Sequence, residues 1–249
     1  MGKTIELGLI GHPVSHSKSP EIFDLFFQKF QYTGLYRLID LKTLTTLNEL
    51  LTNFPNLSGF NVTIPHKTKI VPLLDSIDAS ALNIGAVNTV KITYLNGTPQ
   101  FTGYNTDYYG FKNTLDLLPH EFNSAYILGT GGASKAVFSA LSEHEIEIKF
   151  VSRNTKNNNT ISYENFNKIK WNGNPLIVNT TPVGMSPNVF EMPSIDLQKI
   201  PTNSLIIDLI YNPETTKLMS EANRLNIFAI NGMNMLKVQA EKAWEIFTK

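Results

Sequence analysis

Short apolar runs alternate with helical patterns through the first third of the chain, at residues 5–10, 20–30, 35–41, 43–54 and 60–64. This succession predicts βαβαβ, the order of a largely parallel sheet covered by helices. In the first helix Ile22, Phe23, Phe26, Phe27 and Phe30 recur at helical spacing, with Ser19 placed to cap it and Pro20 in its first turn. Asn96-Gly97, between apolar runs at 90–94 and 100–101, predicts a hairpin. A second series follows: helix 108–118, strand 125–128, helix 134–142, strand 146–151, and strands at 176–178, 205–209 and 227–230. The last helix is expected over 235–247, with apolar positions suited to packing on the first series. Two sheets in sequence imply two domains, residues 1–106 completed by 234–249, and residues 107–233.

Composition narrows the partners. The 249 residues carry 21 basic and 21 acidic side chains, so no net field gathers nucleic acid or an anionic membrane, and a small-molecule partner is the default. The absence of cysteine excludes disulfides, thiolate metal sites and cysteine nucleophiles. The chain opens on a short strand pattern, and no segment offers about 20 uninterrupted apolar residues. A cytoplasmic protein is expected. The polar run 154–160, rich in Asn, reads as a surface loop.

Candidate chemistry first gathers at Gly129-Thr130-Gly131-Gly132-Ala133-Ser134, which the strand at 125–128 delivers directly into a helical pattern. Small residues let a backbone approach a pyrophosphate, and a helix N-terminus offers unpaired N–H groups and partial positive charge. At the end of the next strand, where an acid would hold the ribose hydroxyls of NAD, stand Ser152, Arg153 and Asn154, with Lys156 close by. An acid would repel a 2′-phosphate, whereas a guanidinium binds it by paired charge-assisted hydrogen bonds, so NADP is favoured. Four further segments carry more polar residues than a packed sheet needs: 11–20, 61–67, 85–89 and 105–107. Each follows an expected strand, and ligands of open α/β sheets gather at the carboxyl ends of strands.

These segments, the glycine loop, Asn179-Thr180-Thr181 and the run from Gly232-Met233 to Gln239 occur in the order and approximate spacing of one family. The chain resembles shikimate dehydrogenases along nearly its whole length. That resemblance implies an N-terminal substrate domain with a mostly parallel sheet, a Rossmann-like NADP domain, and an active site in the cleft between them. It implies NADPH-dependent reduction of 3-dehydroshikimate to shikimate by a monomer or homodimer without a metal. Carried over by position, Ser17 and Ser19 hold the substrate carboxylate; Thr63, Asn88, Asp107 and Gln239 bind ring hydroxyls; Tyr211 lines the pocket. Lys67 matches the catalytic lysine and Asp107 its partner. Gly129, Thr130, Gly131, Gly132, Ala133, Ser152, Arg153, Lys156, Thr180, Leu209 and Gly232 match the cofactor site. Lys67 is expected near the start of a helix, a poor place for a cation, which favours a chemical role. Thr130, Ser152 and Asn157 depart from the family's usual residues. Rival readings are a quinate- or NAD-using relative, a folate-type dehydrogenase and a nucleotide-sensing protein without activity.

Overall fold

In the computed structural model, which describes residues 3–44, 46–118, 121–155 and 158–249, the chain divides into two compact units. Met1–Tyr109 with Lys237–Lys249 form the first, and Gly110–Leu236 the second. The first contains β1 (Lys3–Gly11), α1 (Ser19–Lys29), β2 (Tyr32–Asp40), α2 (Leu47–Asn53), β3 (Leu57–Val62), β4 (Ser76–Ile77), α3 (Ala79–Ile84), β5 (Thr89–Leu95) and β6 (Thr98–Tyr104). After α4 (Asp107–Asp116) come β7 (Ser124–Leu128), α5 (Gly132–Leu141), β8 (Glu147–Val151), β9 (Thr160–Ile161), α6 (Tyr163–Phe166), β10 (Pro175–Asn179), β11 (Leu205–Asp208), α7 (Lys217–Arg224), β12 (Phe228–Asn231) and α8 (Met233–Thr248).

Among the described residues the first sheet runs β2-β1-β3-β5-β6-β4. β1 lies parallel to both β2 and β3, whereas β3, β5 and β6 pair antiparallel. The two-residue period of β1 serves two cores. Ile10 packs with α2 and β3, while Ile5, Leu7 and Leu9 face Phe23 and Phe27 of α1 and Ala240, Ala243, Trp244 and Phe247 of α8. The hairpin forms at Asn96 and Gly97, whose φ of 51° and 80° are the positive values its tight turn requires.

The second sheet runs β12-β11-β10-β7-β8-β9 and is parallel throughout. This is the doubly wound dinucleotide-binding order, reversing between β7 and β10.

Three local expectations are corrected. Lys18, not Ser19, is the N-cap of α1, without a side-chain cap hydrogen bond. The second helix is shorter than expected because Thr46 caps it, its hydroxyl accepting from the Glu49 amide. Lys67 lies in a turn, closed by the Ile70 amide on the His66 carbonyl, rather than at a helix start; only a single 3-10 turn at Val71–Leu73 follows.

Candidate active site

In the first unit the reversal of strand order at β1 brings the ends of β1 and β3 side by side. The Thr63 amide donates to the Ile10 carbonyl, and the His12 amide donates to that of Ile64, each at 2.8 Å. Gly11 sits where they meet. A Cβ there would run into the Thr63 methyl and the Ile64 carbonyl, so the approach needs glycine.

The loop from Gly11 then carries Ser17 and Ser19 together. The Ser17 hydroxyl donates to that of Ser19 at 3.1 Å and accepts from the Ser19 amide at 3.2 Å. Thus the two serines form one hydroxyl pair at the entrance to α1. His12 ties this loop to the end of β2 through Asp40, 2.5 Å away, and that bond holds the Asp40 carboxyl below its usual pKa. Burial lowers the pKa of His16, which precedes the pair.

Lys67 follows the loop from β3. Its backbone carbonyl accepts from the Val87 amide at 2.8 Å, which fixes the turn beside Asn88. Its Nζ donates to Asp107 Oδ2 at 2.6 Å; the two side chains are only 14% and 7% exposed. Asp107 is the first residue of α4, where the helix dipole favours a carboxylate. Its other oxygen accepts from Asn88 Nδ2 at 2.9 Å. Asn88 is held in turn, since the Thr106 amide donates to its Oδ1 at 2.6 Å and its Nδ2 also donates to the Thr106 hydroxyl. Gln239, reached from α8, places Oε1 3.2 Å from the Thr106 hydroxyl and 3.5 Å from Asn88 Nδ2. Lys67, Asp107, Asn88 and Gln239 therefore converge, although 172 positions separate the first from the last.

Sequence reasoning passed over the support beneath this group. Tyr36 donates to Asn61 Oδ1 at 2.8 Å, and Asn61 Nδ2 reaches the Thr89 hydroxyl at 2.9 Å and the Asn88 carbonyl at 3.2 Å. Asn61 and Thr106 lay within the polar segments, but the hydroxyl of Tyr36, in an apolar strand, carried no signal. His66 was missed as well. It is wholly buried, and its Nε2 lies 2.6 Å from the Leu41 carbonyl.

In the second unit the glycine loop lies at the carboxyl end of β7, where the strand order reverses. Gly129 has φ of +103°, and a Cβ on it would press on Thr180 and Thr181. Thr180 donates both its amide, at 3.0 Å, and its hydroxyl, at 2.7 Å, to the Leu128 carbonyl, so two proposed cofactor segments share an edge. Thr130 and Gly131 are exposed, Gly131 faces open space, and no side chain caps α5. Gly132 and Ala133 open that helix. The loop thus leads into a helix N-terminus without a side-chain cap, which fits a phosphate. Ser152 and the exposed Arg153 follow β8, joined to the loop by the Gly129 amide on the Val151 carbonyl. Arg153 lies near Tyr163, whose pKa burial raises and this cation opposes. Leu209 follows β11, its amide on the Asn179 carbonyl, and Gly232 packs against its backbone so closely that a Cβ would overlap the Leu209 carbonyl. Tyr211 stands two residues on. Lys156 and Asn157 lie outside the described residues.

Comparison with known proteins covers nearly the full chain. The family model for the shikimate dehydrogenase substrate binding domain matches residues 9–90. The shikimate dehydrogenase (NADP(+)) of Methanococcus vannielii is 38% identical over 99% of this chain and 92% of its own length. The crystal structure of shikimate dehydrogenase 1 from Peptoclostridium difficile superposes with a TM-score of 0.86 at 34% identity, covering 98% of this chain and 91% of that one. Shikimate 5-dehydrogenase from Thermus thermophilus, solved with NADP(H) and shikimate, gives a TM-score of 0.83 at 28% identity over 98% of this chain and 93% of its own.

Proposed function

The chain belongs to the shikimate dehydrogenase family, and from that premise we infer that it reversibly reduces 3-dehydroshikimate to shikimate with NADPH, a step of the shikimate pathway. The observation that carries the chemistry is the buried pair of Lys67 Nζ and Asp107 Oδ2 at 2.6 Å, braced by Asn88. When bound, the reduced nicotinamide supplies a hydride to the ring carbonyl carbon. The oxygen left behind needs a proton and, until it arrives, a nearby positive charge. Lys67 offers both as an ammonium, and Asp107 holds it in place. To the hydroxyls of Ser17 and Ser19 we assign the substrate carboxylate. Thr63, Asn88, Asp107 and Gln239 receive the ring hydroxyls, and Tyr211 the pocket wall.

For the cofactor we assign the pyrophosphate to residues 129–133, with Thr180, Leu209 and Gly232 toward the nicotinamide end and Ser152, Arg153 and Lys156 toward the 2′-phosphate. Arg153 supports NADP over NAD because its guanidinium stands exposed after β8, where an acid would exclude the phosphate. The substrate is a small molecule. Zero formal charge supports the absence of nucleic-acid and membrane partners, and no helix among the described residues is long and apolar enough to cross a membrane. We assign the protein to the cytoplasm as a monomer or homodimer, which sedimentation distinguishes.

The test is initial-rate absorbance of reduced nicotinamide with shikimate or quinate and with NADP+ or NAD+. Shikimate with NADP+ is expected to give the highest kcat/KM. Arg153→Asp is expected to reverse or abolish the NADP preference. Faster turnover of quinate would reassign the substrate, and an unchanged cofactor ratio in the variant would move the 2′-phosphate contact away from Arg153.

A further inference from the structure

A buried acid with no part in the chemistry above stands at the end of β11. Asp208 has no exposed surface and closes an otherwise apolar strand. Its Oδ1 accepts from Asn179 Nδ2 at 3.0 Å and from the Ile210 amide at 3.2 Å, while Oδ2 accepts from the Thr216 hydroxyl at 2.7 Å. These donors come from the end of β10, the loop after β11 and the cap of α7. The groups that face it are uncharged: its register partners on the flanking strands are Asn179 and Asn231, and Thr216 faces it from α7. Burial pushes its pKa up to about 6 against the pull of its hydrogen bonds. The ionised form is therefore held at neutral pH against the preference of its surroundings.

The hydrogen bonds around Asp208 meet the two loops that matter. Asn179, which Asp208 orients, accepts on Oδ1 from the Thr181 amide at 3.1 Å and hydroxyl at 2.7 Å. Its carbonyl takes the Leu209 amide at 3.0 Å. The Ile210 peptide is gripped on both sides, its amide by Asp208 and its carbonyl by the Gly232 amide at 3.1 Å. A carboxylate can accept from all three of its donors at once. An amide or a protonated acid turns a hydrogen toward one of them.

We infer that Asp208 is a positioning residue for hydride transfer: through Asn179 and the Ile210 amide its carboxylate sets Thr180 and Thr181 against Leu209 and Tyr211. The inference rests on the cofactor and substrate roles assigned to those residues above. It differs from a purely structural role in requiring the charge, which the shape-matched Asp208→Asn removes.

The experiment uses the full chain, wild type and Asp208→Asn, with amide hydrogen exchange at 179–184 and 208–212 and steady-state kinetics from pH 5 to 8.5. NADP+ is expected to slow exchange of both segments in wild type; no slowing would remove the cofactor assignment and this inference with it. Given that slowing, the variant without NADP+ is expected to exchange the Thr181 and Ile210 amides at least about tenfold faster. Its kcat per folded molecule is expected to fall roughly tenfold to a hundredfold, as small displacements at a reacting centre do. Wild-type kcat is expected to decline on the acid side of pH 6, a limb that Asp208→Asn lacks. Slowed exchange with NADP+ but wild-type kcat and an unchanged acid limb in the variant would overturn the role of Asp208 alone. Should the variant fail to fold, wild type decides: a kcat that declines below pH 6 supports the inference, and a kcat that stays flat across that range overturns it.

Discussion

Lys67 and Asp107 are largely withdrawn from water, and a buried ion pair is retained at little profit in stability unless further hydrogen bonds satisfy it. Here Asn88 does so for Asp107. Lys67→Ala is expected to lower kcat by ~10²–10⁴-fold, with a smaller change in KM for shikimate. Because the change strands Asp107, unfolding must be followed alongside the kinetics; near-normal turnover in folded protein would remove Lys67 from the mechanism. Ser17 is a second single-residue test. Its hydroxyl pairs with that of Ser19, and hydrogen bonds to a charged group are worth ~1.5–3 kcal/mol. Ser17→Ala is accordingly expected to raise KM for shikimate roughly tenfold to a hundredfold. NADP+ affinity should stay unchanged, since Ser17 lies in the first unit and the glycine loop in the second. An unaltered KM would reduce Ser17 to a turn residue.

At the scale of elements, what matters is how the loops are pressed together at strand ends. Gly232, just before α8, packs against the backbone of Leu209, and a methyl group there would overlap the carbonyl oxygen rather than a movable side chain. Gly232→Ala is expected to cost about 1–3 kcal/mol or more and to raise KM for NADP+ through displacement of Leu209. Denaturant unfolding and cofactor titration check the two effects separately, and an unshifted midpoint would show that the loop yields freely. The strand order that presses these loops together lay beyond pattern reading, which gave the alternation of strands and helices but no neighbours. The start of α1 was misread for a related reason: Ser19 has the right chemistry for a cap, yet the Ser17 hydroxyl takes the Ser19 amide and the helix begins at Ser19 itself.

For the whole molecule, Asp208 links folding to pH. Its folded pKa, about 6, lies above its ordinary 3.8, so the folded chain holds the proton more tightly than the unfolded one. The stability this contributes is fully present below pH 3.8 and is lost as pH rises through 6. At 1.36 kcal/mol per tenfold change in proton affinity, the loss amounts to roughly 3 kcal/mol. Asp208→Asn does not titrate, so its stability relative to wild type is expected to rise by about that amount between pH 4 and pH 7, measured by denaturant unfolding at each pH. A constant difference across that range would show that Asp208 ionises without penalty.

The residues assigned to ligands could be read from the chain because their chemistry is local: a glycine loop needs small residues at fixed offsets, and serines, an Asn, a lysine and an acid at strand ends are not needed by a packed sheet. The α/β class and the division into two sheets followed from periodicity, since period-two and period-3.6 burial leave different marks. Tertiary structure alone decided which of these groups meet. The contact of Gln239 with Thr106 depends on α8 returning to the first unit, and the junction at Asp208 depends on β10 and β11 being neighbours although 25 residues lie between them. Asp208 did leave a trace, as an acid inside Leu-Ile-Ile-Asp-Leu-Ile. Its meaning required the donors Asn179 and Thr216, brought from other elements, and burial, which exists only once the chain has folded.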